Sequence, residues 1–484
     1  MLRGMRLFIV SSHSPYTMKI KFCGAAREVT GSSHLVMLDN GFTFLLDCGM
    51  YQGGNETEAA NREEFPFIPA EIDAVLLSHA HLDHCGLLPK LVKEGFRGPI
   101  YLTPATRDLL RLMLEDAAHL ENKDTEWENR QRLRSGDEPI EPLFDLQDVD
   151  SVLRQCRSID YQRPEQILPG VTVTFRDAGH ILGSATVELQ LASRDGRKRL
   201  LFSGDLGNSG SALLRDPEPI DGADLLLLES TYGDRCHRTL DATLQELKEI
   251  LVTAHRSGGN VLIPAFAVGR TQELLYWLGQ FDRQGDLPQQ QVFLDSPMAI
   301  SASEIYARHH HLFSPEEQRA FARTGSTEWE SWLPKLRYSR TTADSMALNQ
   351  IQGGAIIIAG SGMCSGGRIR HHLNHGLWRR QNHLLIVGFQ ARGTLGRLLV
   401  DGAQRVRLFG QEIAVNAKIH TVGGFSAHAD QRQLIEWAGR LRDPAPKLFL
   451  VHGELEPMVT LQQAIHEQLG WFAGIPVRGQ KIEL

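Results

Sequence analysis

His79-Ala80-His81-Leu82-Asp83-His84 follows the apolar run Ala74-Val75-Leu76-Leu77-Ser78 and precedes Cys85-Gly86-Leu87-Leu88-Pro89. Four side chains able to bind a metal thus fall within six positions, just past a segment that reads as a buried strand. On a turn backbone His79 and His81 can face one ion, while Asp83 and His84 turn towards a second. Imidazoles and carboxylates with no thiolate in register suit zinc or another borderline divalent ion. A polar turn with chance histidines would leave the spacing unexplained, and a closed structural zinc would normally use thiolates. A hydrolytic zinc keeps about three protein ligands and one open position, so the turn must draw on residues elsewhere.

Three such residues stand beside glycines at predicted strand ends. His180 lies in Asp177-Ala178-Gly179-His180-Ile181-Leu182-Gly183, between strands predicted over 168–175 and 184–191. Asp205 follows a strand over 199–203, and His452 one over 447–451. His180 is expected to complete the first ion's set, His452 the second's, and Asp205 to bridge both. Two ions about 3.5–4 Å apart would make hydroxide at neutral pH and clamp a phosphoryl oxygen. Asp47 ends a strand over 42–47, where a sheet-edge site places a carboxylate; the alternative is a turn cap.

With 484 residues the chain has room for about three domain-sized units, or two large ones. Its 42% hydrophobic and 23% charged content is that of a globular protein. No apolar run approaches the roughly 18 residues of a membrane span, so no membrane partner is expected. The formal charge of −7 means that a nucleic-acid partner needs a locally basic cleft. Six scattered cysteines without a C-x-x-C pair favour a reducing compartment, the cytoplasm. Residues 1–17 read as a flexible N-terminal extension, too short in its apolar core for a signal peptide. Beyond a long helix over 104–134, the texture changes near Cys236 to strands alternating with helices, an α/β pattern with a mostly parallel sheet. The glycine-rich loops 360–367 and 391–397 offer backbone N–H groups to an anion.

In order, Asp47, the group His79, His81, Asp83 and His84, then His180, then Asp205 resemble the first four motifs of the metallo-β-lactamase superfamily. Glu229 at a strand end, His428 in Gly424-Phe425-Ser426-Ala427-His428-Ala429-Asp430, and His452 in Val451-His452-Gly453-Glu454 resemble the three further motifs of its β-CASP nucleases. The DNA-repair branch typically carries valine at the third of these, so His452 points to the RNA-processing branch. The resemblance implies an α/β fold, a metallo-β-lactamase αββα sandwich over 18–230 and 418–484, interrupted by an α/β β-CASP domain over 231–417. It implies two zinc ions per chain, with manganese as the alternative, a single-stranded RNA substrate, and a homodimer as the common association.

The expected chemistry is phosphodiester hydrolysis, leaving a 5′-phosphate and a 3′-hydroxyl; internal cutting and 5′-3′ trimming are both open to it from the sequence. Asp83, His428, Glu229 and Asp47 form the expected catalytic set: His428 as imidazolium protonates the departing 3′-oxygen, Glu229 holds it charged, and Asp47 orients the ligand turn. The competing role for His428 is capping the helix that begins near Asp430, where Ser426 or Asp430 would serve better. Arg368, Arg370, Arg392, Arg397, Ser361 and Ser426 are the candidate phosphate contacts. His309-His310-His311 reads as a polar helix end in preference to a metal tract. Two rival functions are a thioester or lactam hydrolase on the same metal fold, and a non-cutting RNA-binding subunit.

Overall fold

The computed structural model describes residues 18–483 except 54–56, 58, 194–195 and 443. The extension expected over 1–17 lies outside the described residues. Two seven-stranded sheets come first. One contains β1 (Met18–Phe22), β2 (His34–Leu38), β3 (Thr43–Leu46), β4 (Ala74–Leu76), β5 (Ile100–Leu102) and β6 (Cys156–Ser158). The other contains β7 (Glu165–Leu168), β8 (Val171–Asp177), β9 (Ala185–Ser193), β10 (Gly196–Phe202) and β11 (Leu225–Glu229).

Side chains alternate across a strand, and that alternation sorts the layers. Phe44, Leu46 and Leu76 of one sheet meet Phe175, Leu200, Phe202 and Leu227 of the other in a shared core. Their neighbours Leu45 and Val75 face the helices Leu88–Lys93, Pro104–Ser135 and Leu146–Gln155. Leu201, Leu226 and Leu228 face the helices Gln431–Ala438 and Leu455–Leu469. The result is a helix–sheet–sheet–helix sandwich.

The third sheet is built from β12 (Val261–Pro264), β13 (Gln291–Leu294), β14 (Leu336–Tyr338), β15 (Ala355–Ala359) and β16 (His383–Ile386). A separate hairpin, β17 (Arg405–Leu408) and β18 (Gln411–Ala414), precedes β19 (Lys418–Thr421). Every pairing in the third sheet is parallel, in the order β14-β13-β15-β12-β16-β19. Helices cover both faces, so β15 reads Ala-Ile-Ile-Ile-Ala and is buried throughout. β19 pairs with β16, so Lys418–Thr421 belongs to this sheet although the return to the first domain was expected from 418.

The chain then rejoins the sandwich. β20 (Lys447–Val451) lies between β11 and β21 (Ala473–Gly474), and β22 (Lys481–Glu483) pairs antiparallel with β1.

Several elements differ from expectation. The strand expected over 168–175 is a hairpin: Leu168 pairs with Val171 across Pro169-Gly170, because proline supplies no N–H to a ladder. The glycine loop expected over 391–397 closes into the helix Leu395–Val400, whose first turn is capped by Thr394 accepting from Arg397 N. The helix Leu146–Gln155 was not anticipated. Its signal was present in Asp145, which caps it in a reciprocal box with Asp148, and in the helical spacing of Val149, Val152 and Leu153.

Candidate metal centre

Asp47, His79, His180, Asp205, Glu229 and His452 all sit at or just beyond the carboxyl ends of β3, β4, β8, β10, β11 and β20. β10, β11 and β20 are parallel neighbours, as are β3 and β4, so these ends converge on one edge of the sandwich. Open α/β sheets place ligands at such an edge.

Two groups of donor atoms form there. In the first, His81 Nδ1 lies 3.1 Å from His79 Nε2 and 3.2 Å from His180 Nε2. Asp205 Oδ2 is 3.5 Å from both His79 Nε2 and His180 Nε2. In the second, His84 Nε2 is 2.9 Å from His452 Nε2 and 4.0 Å from Asp83 Oδ2. Asp205 Oδ1 is 3.3 Å from His84 Nε2 and 3.6 Å from His452 Nε2. Asp205 therefore turns one oxygen to each group.

These distances test whether a metal fits. An ion holding four ligands tetrahedrally at 2.0–2.1 Å sets them roughly 3.3–3.4 Å apart, close to the spacings observed. Asp205 Oδ1 is buried and has no hydrogen-bond partner among the described residues, an arrangement that costs stability unless a cation supplies the partner. The residues thus fit divalent ions.

In His79, His84, His180 and His452 the outer nitrogen is tied back, which in the neutral ring leaves the inner one as a lone pair. His84 Nδ1 donates to Asp47 Oδ2 at 2.6 Å, and His180 Nδ1 donates to the Ala427 carbonyl at 3.1 Å. His79 Nδ1 meets Ser78 Oγ at 3.1 Å, and His452 Nδ1 meets Thr231 Oγ1 at 3.2 Å. Asp47 also accepts from Ser78 N, Ser78 Oγ and Ser32 Oγ, so it braces the turn and takes no place among the converging donors. Ser32, Ser78 and Thr231 escaped the sequence reading. Ser78 abuts the motif and could have been found, whereas Thr231 reaches His452 across 221 positions and left no local sign.

Burial, reinforced by the neighbouring His84, holds His79 well below the ordinary imidazole range. Burial likewise outweighs Asp83 and Asp205 to bring His81 to about 4, and with His428 it keeps His180 low. These three are neutral, as ligands must be. His84 goes the other way: Asp205 and Asp47 overcome its burial and hold a proton that a bound cation would displace.

His428 reaches the site from the loop after β19. Its Nδ1 is 3.3 Å from Glu229 Oε1 and 3.9 Å from Asp205 Oδ2, and its ring packs 4.4 Å from that of His180. Burial alone would depress this imidazole, but Glu229 and Asp205 raise it to about 9. Glu229 is fully buried and accepts from Leu206 N at 2.7 Å. Helix capping falls to Asp430, which makes a capping box with Gln433, so His428 is free of that duty.

The expected phosphate contacts scatter. Arg368 donates to buried Asp295 at 2.7 Å and to the carbonyls of Ser339 and Arg340, contacts within the inserted domain. Arg397 pairs with exposed Asp401, Arg370 lies 5.0 Å over the Phe409 ring, and Arg392 is exposed. Ser361 Oγ accepts from Gly366 N and closes its own loop, while Ser426 Oγ accepts from His428 N and shapes the turn below it. In the histidine tract, His309 pairs with Asp108 at 2.9 Å and His310 bonds the Ala307 carbonyl.

Residues 26–255 match the metallo-beta-lactamase superfamily, 271–399 the Beta-Casp domain, and 412–476 the Zn-dependent metallo-hydrolase RNA specificity domain. A protein named Ribonuclease TTHA0252 from Thermus thermophilus is 42% identical over 467 residues, covering 96% of this chain and 98% of that protein. Proteins named Transcription termination factor FttA are 31% identical in Pyrococcus horikoshii and 32% in Methanocaldococcus jannaschii. Those alignments cover 96% and 91% of this chain and 71% and 67% of the relatives. No helix among the described residues is long and apolar enough to cross a membrane.

Proposed function

This chain belongs to the β-CASP family of metallo-β-lactamase-fold hydrolases, and from that premise we propose that it is a zinc-dependent ribonuclease cutting single-stranded RNA internally, in RNA processing or decay. The observation that carries the reading is the pair of donor groups joined through Asp205 with His428 beside them, 3.9 Å from the shared carboxylate. A small-molecule hydrolase has no need of Glu229 and His428 or of a large inserted domain, and a non-cutting subunit has no need of both donor groups.

His79, His81, His180 and Asp205 would hold one ion, and Asp83, His84, His452 and Asp205 the other. Ions there supply Lewis acidity, lowering the pKa of water and neutralising charge on a phosphoryl group. Asp83, 17% exposed where its partners are sealed, faces incoming solvent and orients the attacking water. His428 carries its proton on the side of the departing 3′-oxygen and releases it as the P–O bond breaks, leaving a 3′-hydroxyl and a 5′-phosphate. Glu229 keeps that imidazole protonated and aimed. The name of the Thermus relative supports the RNA substrate, and the names of the archaeal relatives support work on transcripts.

Purified protein and a His81→Ala control are incubated with end-labelled linear RNA, circular RNA and a thioester. Metal-dependent linearisation of circular RNA by the wild type alone is the expected result. Thioester hydrolysis without RNA cutting, or RNA binding without cutting, would replace the reading with one of its rivals.

A further inference from the structure

β12, β15, β16 and β19 run parallel, so their carboxyl ends share one edge of the third sheet. His428 follows β19 at that edge. The segment after β12 also reaches the metal centre: a Cβ built on Gly269 would lie 3.2 Å from Ile181, the residue after His180. Two large apolar side chains stand open here. Phe266, after β12, is 44% exposed, and Phe389, after β16, is 61% exposed.

Neither sits on a loose loop. A Cβ on Gly362 would come within 2.7 Å of the Phe266 ring, and one on Gly388 within 3.8 Å. The ring therefore lies across the glycine loop after β15 and beside the residue that precedes Phe389. Gln390 Nε2 donates to the carbonyls of Gly362, Gly388 and Phe389 at 2.9, 3.2 and 2.9 Å, and Thr271 Oγ1 donates to the Phe266 carbonyl at 2.7 Å. Exposed Arg392 follows two residues after Gln390. A ring held across a glycine loop, as Phe266 is, loses little conformational freedom when a partner covers it, and exposed apolar rings beside an arginine match unpaired nucleobases.

We propose that Phe266 and Phe389 are a stacking platform for unpaired bases of the RNA strand as it approaches His428. This rests on the ribonuclease reading and adds how the strand is selected. Stacking reads the face of a base and not its edge, so the platform favours single strands over duplex and tolerates any sequence.

Kinetics on a single-stranded oligoribonucleotide and on bis(p-nitrophenyl) phosphate test it, using wild type, Phe389→Ala, Phe389→Trp and Phe266→Leu. Phe389→Ala should raise the RNA KM roughly five- to a hundredfold, leave diester hydrolysis unchanged, and be rescued by Phe389→Trp. An abasic strand of the same length should bind wild type as weakly as the intact strand binds Phe389→Ala, with no further loss when the two changes are combined. An unchanged RNA KM in Phe389→Ala, or equal losses on intact and abasic strands, overturns the platform alone. Wild type that hydrolyses the small diester but neither binds nor cuts RNA overturns the ribonuclease reading and the platform with it.

Discussion

A carboxylate buried with one oxygen turned to each of two imidazole groups, as Asp205 is, fits a site for divalent cations. The same logic of opposed charges governs His428, raised to about 9 because Glu229 and Asp205 outweigh its burial. Bound ions will lower that value, since like charge disfavours the imidazolium. As a general acid His428 works only while protonated, so cleavage should fall as pH rises through its pKa. Glu229→Gln should move that alkaline limb to lower pH, and His428→Ala should abolish it with a loss of about 10²–10⁴-fold in kcat at unchanged metal content; a retained limb would remove His428 from the acid role. Asp47→Asn sets an amide N–H₂ among donors that now share two oxygens, including Ser78 N and His84 Nδ1. Metal affinity should drop about 10–100-fold, read by chelator competition.

At the scale of elements, the turn from Ser78 to Cys85 is held by backbone as much as by side chains. Ser32 N, Cys48 N and Met50 N donate to the carbonyls of Asp83, His84 and Leu82, each at 2.8 Å. Gly49 passes so close that a Cβ there would fall 1.7 Å from the Asp83 carbonyl oxygen. Gly49→Ala must therefore displace the turn, and the expected outcome is a lower Tm with substoichiometric metal by elemental analysis; full metal content would show that the turn is more compliant than this. The strands that end at the site were legible in the sequence to within a few residues because apolar runs ending in glycine or a carboxylate mark sheet edges, whereas short strands such as Ile100–Leu102, Cys156–Ser158 and Leu336–Tyr338 were not. The helix Leu395–Val400 was missed too, because one capping threonine is a weak signal beside Gly393 and Gly396.

Across the whole molecule the two cores are continuous: the helix Pro297–Arg308 of the inserted domain packs on the helix Pro104–Ser135 of the sandwich. Tyr306 OH accepts from Leu182 N at 3.2 Å, and Thr103 and Thr106 donate to the Gly183 carbonyl, so both domains hold the loop that carries His180. Tyr306→Phe leaves the Leu182 N–H buried without that acceptor, a cost of about 1–3 kcal/mol. A lower Tm together with weakened metal retention is expected; a lower Tm with unchanged metal affinity would separate the loop from the domain contact. The sequence by itself marked the donor side chains that converge and the alternation of two α/β textures, because residue type, spacing and strand-end position are local properties. The sequence led to the expectation that Asp205 serves both groups and that Asp47 orients the turn; only the tertiary structure decided that Asp47 meets His84, that Arg368 serves Asp295, and that Thr231 steadies His452. The Asp47–His84, Asp295–Arg368 and Thr231–His452 pairs join residues 37, 73 and 221 positions apart, and they exist only once parallel strands bring their carboxyl ends to one edge.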